Sequence, residues 1–306
     1  MRSFRVVTYN VRYFGHGTRG LASTKRSMTR IAEALANLTP RADIICLQEV
    51  ETSSLRSTLV HPSYDNETQL ERLMTMLRRS LLSLGRRDAY EAYYFPAHTY
   101  GPGVAPIYTT GLAVIAHRDF HVAHHNASNP HDITHVHSVK RLKQTRICAH
   151  LRLESKWGEL DVFNTHLSLP TTLSKEFWFE PKRMGWGPNQ VKEAKNLVSF
   201  VKGASKNDRF VVVGDFNALP GSPVYRALRD SGLRDGFADF WDFDDDDLVK
   251  WPTAGFMNMR MHLDHVFCGE GIEFVDFDGT HRFGQRNGRF RGLSDHVPIV
   301  GAFHLR

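Results

Sequence analysis

The stretch RFVVVGDFN, residues 209–217, decides how this chain is to be read. Its first part is a short apolar run suited to a buried strand, and it stops at a glycine, a carboxylate and an amide. Such a strand hands Asp215 and Asn217 to a loop. The same event recurs along the chain. Residues 4–11 alternate, with Phe4, Val6, Thr8 and Asn10 on one face and Val7, Tyr9 and Val11 on the other, so an amide emerges at the strand end. DIICLQE, residues 43–49, reads as a buried strand ending in Glu49. Residues 147–153 and 160–167 read as neighbouring strands, the second closing on NTHL with Asn164 and His166. LDHVFCG at 263–269 and SDHVPIVGAF at 294–303 place Asp264, Asp295 and His296 beside two further strands.

Helical spacing separates these runs. Ile31, Leu35 and Leu38 predict a helix over 28–38 that Pro40 terminates. Leu70, Leu73, Met74, Leu77, Leu81 and Leu84 predict another over 67–84, and a third is expected from about Gln190 to Val201. Residues 90–95 and 111–116 read as strands. The resulting strand–helix order is that of a mixed α/β domain.

Composition bounds the partners. The chain has 306 residues, 41% hydrophobic and 24% charged, enough to bury a core without disulfide or metal staples. Lysine plus arginine exceeds aspartate plus glutamate by 39 − 33 = 6, which favours an anionic partner: nucleic acid, a phosphorylated small molecule or an acidic lipid surface. Cys46, Cys148 and Cys268 are widely spaced, form no CxxC pair and read as buried free thiols. With no visible signal peptide either, a cytoplasmic setting is expected, a secreted mature chain remaining open. No apolar stretch reaches the ~20 residues of a membrane span.

Several chemistries are poorly supported. There is no GxSxG nucleophile elbow and no GxxxxGK[ST] phosphate loop. The histidines between His117 and His137 define no ligand face. The acidic run Asp242–Asp247 lacks the spacing of a helix–loop–helix calcium site, so an additional Ca²⁺ site has only weak support there.

Asn10, Glu49, NTHL, GDFN, LDH and SDH, in that order, resemble the endonuclease/exonuclease/phosphatase superfamily over residues 4–303. The resemblance implies a four-layer α/β/β/α sandwich of two packed mixed sheets, one catalytic domain over 1–306, and a site at one edge. It implies metal-dependent phosphoester hydrolysis, with Mg²⁺ (or Mn²⁺) held by Glu49 and assisted by Asn10 and Asp295. His166 would bind a phosphoryl oxygen or act as general acid. Asp264 would orient His296, Asp215 and His296 would prepare water, Asn217 would donate to the phosphate, and Asn164 would support the His166 loop. A carboxylate partner for His166 is not identifiable.

The substrate is less specified. A DNA or RNA nuclease ranks first, with Arg12, Lys140, Arg141 and Arg146 as candidates for backbone contact. A phospholipid or small-molecule phosphoesterase ranks second; Phe177, Trp178, Phe179, Met184 and Trp186 could meet lipid, with Lys175, Lys182 and Arg183 nearby. A nonhydrolytic phosphate-binding protein is the third class, disfavoured because the full motif set is present. Arg19, in the GHGTRG loop, could touch distal phosphates, and Arg260 could approach the site entrance.

Overall fold

The computed structural model describes residues 2–15, 24–54, 68–97, 108–135, 145–170, 184–256, 259–279 and 282–306. The GHGTRG loop beyond Gly15, Lys140, Arg141, and the insert residues Lys175, Phe177, Trp178, Phe179, Lys182 and Arg183 lie outside them.

In chain order the strands are β1 (Phe4–Asn10), β2 (Ile44–Ser54), β3 (Tyr90–Pro96), β4 (Tyr108–His117), β5 (His121–His125), β6 (His131–Asp132), β7 (Ile147–Ser155), β8 (Gly158–His166), β9 (Phe210–Asp215), β10 (Arg234–Asp235), β11 (Ala254–Phe256), β12 (Met259–Met261), β13 (Asp264–Cys268), β14 (Ile272–Phe277) and β15 (Ile299–Leu305). The helices are α1 (Lys25–Ala36), α2 (Gln69–Ser83), α3 (Pro188–Ala204), α4 (Pro223–Arg229), α5 (Gly236–Trp241) and α6 (Asp245–Val249). One sheet has the order β14-β15-β1-β2-β4-β3 and the other β10-β13-β9-β8-β7-β5, with β6 beside β7. Both mix parallel and antiparallel pairs, and the layering is the expected α/β/β/α sandwich.

The alternation in β1 explains the layering. Phe4 and Val6 join the main core between the sheets, whereas Val7, Tyr9 and Val11 join a second core beneath α1 and α2. Both faces are therefore apolar, as a strand covered on both sides requires. Leu70, Leu73, Leu77 and Leu81 of α2 enter that second core. Each fully buried leucine contributes roughly 1.5–3 kcal/mol. Leu84, expected on the same stripe, is 45% exposed because the helix ends at Ser83.

Helix starts are set by caps. Thr24 accepts from the Ser27 N–H at 3.1 Å, which begins α1 three residues before the apolar spacing does. Thr68 and Glu71 cap α2 reciprocally, the Thr68 hydroxyl accepting from Glu71 N–H and the Glu71 carboxylate from Thr68 N–H.

The sheets are joined by polar groups as well. The Asn164 amide on β8 donates to the Leu47 and Ala113 carbonyls of the opposite sheet and accepts from Gln48, which also donates to Thr8. Two residues before His166, Asn164 thereby ties the two sheets together. All three cysteines are free and buried, as expected. The acidic run becomes the start of α6, where Asp244 accepts from Asp247 N–H and Asp247 pairs with Lys250. Among the described residues, neither it nor the histidine-rich segment forms a metal-ligand cluster.

A candidate active site in the cleft at the strand ends

Strand register assembles the site. β8 and β9 run parallel with His166 opposite Asp215, and β9 and β13 run antiparallel with Asp215 opposite Asp264. Three adjacent strand ends thus present His166, Asp215 and Asp264 in a row. His166 Nε2 lies 3.5 Å from Asp215 Oδ2 and 4.0 Å from Glu49 Oε1. His296 Nδ1 is hydrogen-bonded to Asp264 Oδ2 at 2.8 Å, and its Nε2 lies 3.6 Å from Asp215 Oδ2. Gly214 is required by this packing: a Cβ there would sit 2.0 Å from the Thr165 carbonyl oxygen.

The opposite sheet supplies Asn10, Glu49 and, on the approach to β15, Asp295. Glu49 occupies a bulge: Leu47 faces Ala113 and Val50 faces Gly111, so β2 carries an extra residue there. Its φ of 58° is left-handed, a strain of about 1–3 kcal/mol for a side chain other than glycine. The bulge aims the carboxylate into the cleft. Asn217 also has a positive φ, 48°, directly after the second sheet's strand end. Asn10 places its Nδ2 3.1 Å from Glu49 Oε1 and 3.0 Å from Asp215 Oδ2, while its oxygen accepts from Arg12 N–H. The Asn10 amide thus bridges the two carboxylates with its nitrogen while its oxygen is engaged by backbone.

Crowding sets the electrostatics. Burial raises Asp215 above the usual carboxylate range; Asp264 adds to this, and His296, Asn10 and Asn217 only partly oppose it. Burial also raises Glu49, with the Asn10 hydrogen bond opposing and the charge of Asp295 adding. Burial, Arg146 and His296 hold His166 well below the ordinary imidazole value. Burial works against a charge on His296 too, but Asp264 and Asp215 outweigh it and its pKa rises. The two imidazoles are therefore pushed in opposite directions, His166 away from the charged form and His296 toward it.

Arg12, Tyr13, Glu49, Arg146, His166, Asp215, Asn217, Asp295 and His296 all line one cleft of about 420 Å³. The lining also includes the apolar side chains Leu112, Ile147, Leu169, Met184, Met261 and Leu263. Asp264 stands behind His296 and is fully buried, its second oxygen without a hydrogen-bond partner among the described residues. Asn10, Glu49, His166, Asp215, Asn217, Asp264, Asp295 and His296 are thus gathered at or beside this cleft, and of the sequence-read arginines Arg12 and Arg146 line it. Asn217 spends one amide hydrogen on the Leu167 carbonyl at 2.9 Å, which fixes its side chain. Arg12 pairs with Asp295 at 2.7 Å. Arg260 is exposed on the β11–β12 hairpin at the rim. The carboxylates nearest His166 are Asp215 and Glu49 themselves, and no more distant strand supplies a separate partner among the described residues.

The donor set suits a hard divalent cation. Glu49, Asp215 and Asp295 bring carboxylate oxygens to the cleft, and a cation would relieve the burial and repulsion that raise Glu49. Asp215, Asp264 and His296 also hold donor atoms within 4.8 Å of one another. In that grouping the Asp264 and His296 atoms are also joined by a hydrogen bond, and Glu49 and Asp295 add two further carboxylates that could hold an ion from the cleft side.

Solved structures share this architecture. An endonuclease/exonuclease/phosphatase family protein from Leptotrichia buccalis superimposes with TM-score 0.67 at 17% identity, covering 99% of each chain. The human Nocturnin catalytic domain with bound sulfate gives 0.62 at 19%, covering 99% of this chain and 94% of that one. ANGEL2, a 2',3'-cyclic phosphatase in complex with adenosine-2',3'-vanadate, gives 0.60 at 18%, covering 99% and 96%. At these identities the likeness is one of fold. No curated protein matches the sequence. The sequence profile of the Endonuclease/Exonuclease/phosphatase family matches residues 7–296, spanning every element that builds the cleft, and the chain belongs to that family of phosphoester hydrolases.

Proposed function

We propose that the chain, acting as one catalytic domain, is a divalent-metal-dependent phosphodiesterase that cleaves nucleic acid. The observation that carries the chemistry is Asp215 standing between His166 and His296 in one cleft, with Asp264 behind His296. Water attacks phosphorus in line, positioned by Asp215 and His296; Asp215 takes its proton as the opposite phosphorus–oxygen ester bond breaks, and the departing oxygen is protonated from solvent. The raised basicity of Asp215 suits that task, since a base works best near the operating pH. Asp264 fixes the His296 ring and supports its charge beside the phosphate. His166, held neutral, donates a hydrogen bond to a phosphoryl oxygen, and Asn217 donates its remaining amide hydrogen. Glu49 and Asp295, with Asn10 bracing the Glu49 carboxylate, would hold Mg²⁺ or Mn²⁺. When bound, the ion neutralises charge on the phosphoryl and leaving oxygens.

The net charge of +6, with Arg12 and Arg146 in the cleft, supports a polyanionic substrate. A second reading, a phospholipid or small-molecule phosphoesterase, is favoured by the apolar residues in the lining, among which Leu169 is 44% exposed. A panel of DNA, RNA, sphingomyelin, phosphoinositide and a small phosphodiester with Mg²⁺ separates them, run beside His166→Ala. DNA or RNA cleavage that weakens with added salt is expected. Lipid turnover without nucleic-acid cleavage would move the assignment to the second reading. Wild-type rates in folded His166→Ala would remove the mechanism.

A further inference from the structure

Helix α3 buries two polar side chains one turn apart. Gln190 and Glu193 are fully buried on the same helix face, where unpartnered polar groups would be costly. Gln190 Nε2 donates to the Ser168 carbonyl at 2.5 Å and to the Asn217 carbonyl at 3.1 Å. Ser168 follows His166 by two residues and Asn217 follows Asp215 by two, so one amide ties together the loops that leave β8 and β9. The Glu193 carboxyl accepts from Ser168 N–H at 3.0 Å and from the Ser168 hydroxyl at 2.7 Å. That hydroxyl in turn accepts from Arg146 Nε at 3.3 Å. Arg146 reaches the cleft wall, close enough for its charge to act on both His166 and Glu49.

On the reading that this cleft binds a phosphoryl group, we infer that Arg146 is an anion-binding residue of the site. We infer equally that Glu193, through Ser168, and Gln190 are positioning residues that hold its guanidinium and both strand-end loops in register. The fork of the guanidinium matches phosphate oxygens, and fixing Nε leaves the two terminal nitrogens to face the ligand. A preorganised cation of this kind loses less side-chain freedom on binding than a free surface arginine does.

Inorganic phosphate is the probe, titrated calorimetrically into the full chain with no turnover required. Arg146→Ala is expected to weaken phosphate binding at least about tenfold while the unfolding midpoint in phosphate-free buffer stays near that of the wild type. Ser168→Ala and Glu193→Gln are expected to weaken it several-fold. In ¹⁵N-arginine spectra, the slowly exchanging Arg146 Nε–H signal should be lost in both variants. A purely structural role would leave that signal in place in the folded variants. Should Ser168→Ala fail to fold, Glu193→Gln gives the same reading, because the glutamine can still accept from Ser168 N–H. Phosphate affinity in Arg146→Ala within twofold of wild type would overturn the anion-binding assignment. An unchanged Arg146 signal in folded Glu193→Gln would overturn the clamp. Phosphate binding that depends on Arg146, in a protein that cleaves no nucleic acid, would uphold this inference while rejecting the nuclease reading.

Discussion

Two buried aspartates in the same sheet are treated in opposite ways. Asp161, along β8, accepts from His150 at 2.7 Å, from Arg152 Nε at 3.0 Å and from Lys206 N–H at 3.2 Å. Burial works against its charge, but those donors prevail and its pKa falls. Asp215, at the end of β9, faces Asp264 and the Asn10 amide, and its pKa rises. Both are nearly inaccessible to solvent, yet Asp161 is the less deeply buried and its donors prevail, whereas at Asp215 deeper burial, with Asp264 adding, outweighs His296, Asn10 and Asn217. The cluster around Asp161 fastens the sheet. The cluster around Asp215 keeps a reactive carboxylate at the cleft, and the fold carries its cost.

The comparison can be broken most forcefully at Glu49. Chelation should remove activity, added Mg²⁺ or Mn²⁺ should restore it, and Glu49→Gln should lower metal-dependent turnover by on the order of 10²-fold or more. Full activity in buffer shown by elemental analysis to be metal-free would end the metal assignment. Asp264→Asn comes next. It removes the charge behind His296 without touching the cleft, so kcat should fall by about 10–10²-fold with little change in KM. An effect on KM alone would show that Asp264 serves binding.

Asp161→Asn tests the other side. It should cost roughly 3 kcal/mol of stability by leaving His150 and Arg152 facing a weaker acceptor, while activity at a temperature well below unfolding stays within a few-fold of wild type. The smallest effect is its pH dependence. Because folding lowers the Asp161 pKa, its stabilisation is present above the unfolded carboxylate value of about 4 and is lost as pH falls through the lower folded value. The stability difference between wild type and Asp161→Asn should therefore narrow as the buffer is acidified below about pH 4. A difference that stays constant there would show that Asp161 acts through shape alone.

Much of this was legible because strands announce their ends. Apolar runs closing on Asn10, Glu49, His166 and Asp215 put those side chains at strand ends, while a shared cleft and the Asp264–His296 pairing, a 2.8 Å bond in the structure, followed from the family resemblance. What escaped the sequence depends on tertiary context. The bulge that turns Glu49 inward arises from pairing with β4, which no local pattern encodes. The orientation of the Asn10 amide follows from carboxylates 39 and 205 positions away. Asn164 reads locally as loop support, yet its partners Leu47 and Ala113 belong to the facing sheet. Gln190 and Glu193 are polar, so helical spacing assigns them to solvent, and only the position of the two strand-end loops shows them buried. Asp161 lies within its strand and Asp215 at the end of its own, and nothing in composition separates the fastener from the reactive group.

The most direct test measures turnover and unfolding together in Asp215→Asn and Asp161→Asn, on a nucleic-acid substrate with Mg²⁺. Asp215→Asn should lose about 10²–10⁴-fold in kcat while keeping or gaining stability in metal-free buffer, since it removes a crowded carboxylate from a buried site. Asp161→Asn should show the reverse pattern, unstable but active. If folded Asp215→Asn turns over at the wild-type rate, or if both variants lose stability and activity in parallel, the division between the two clusters is wrong and Asp215 does not prepare the attacking water.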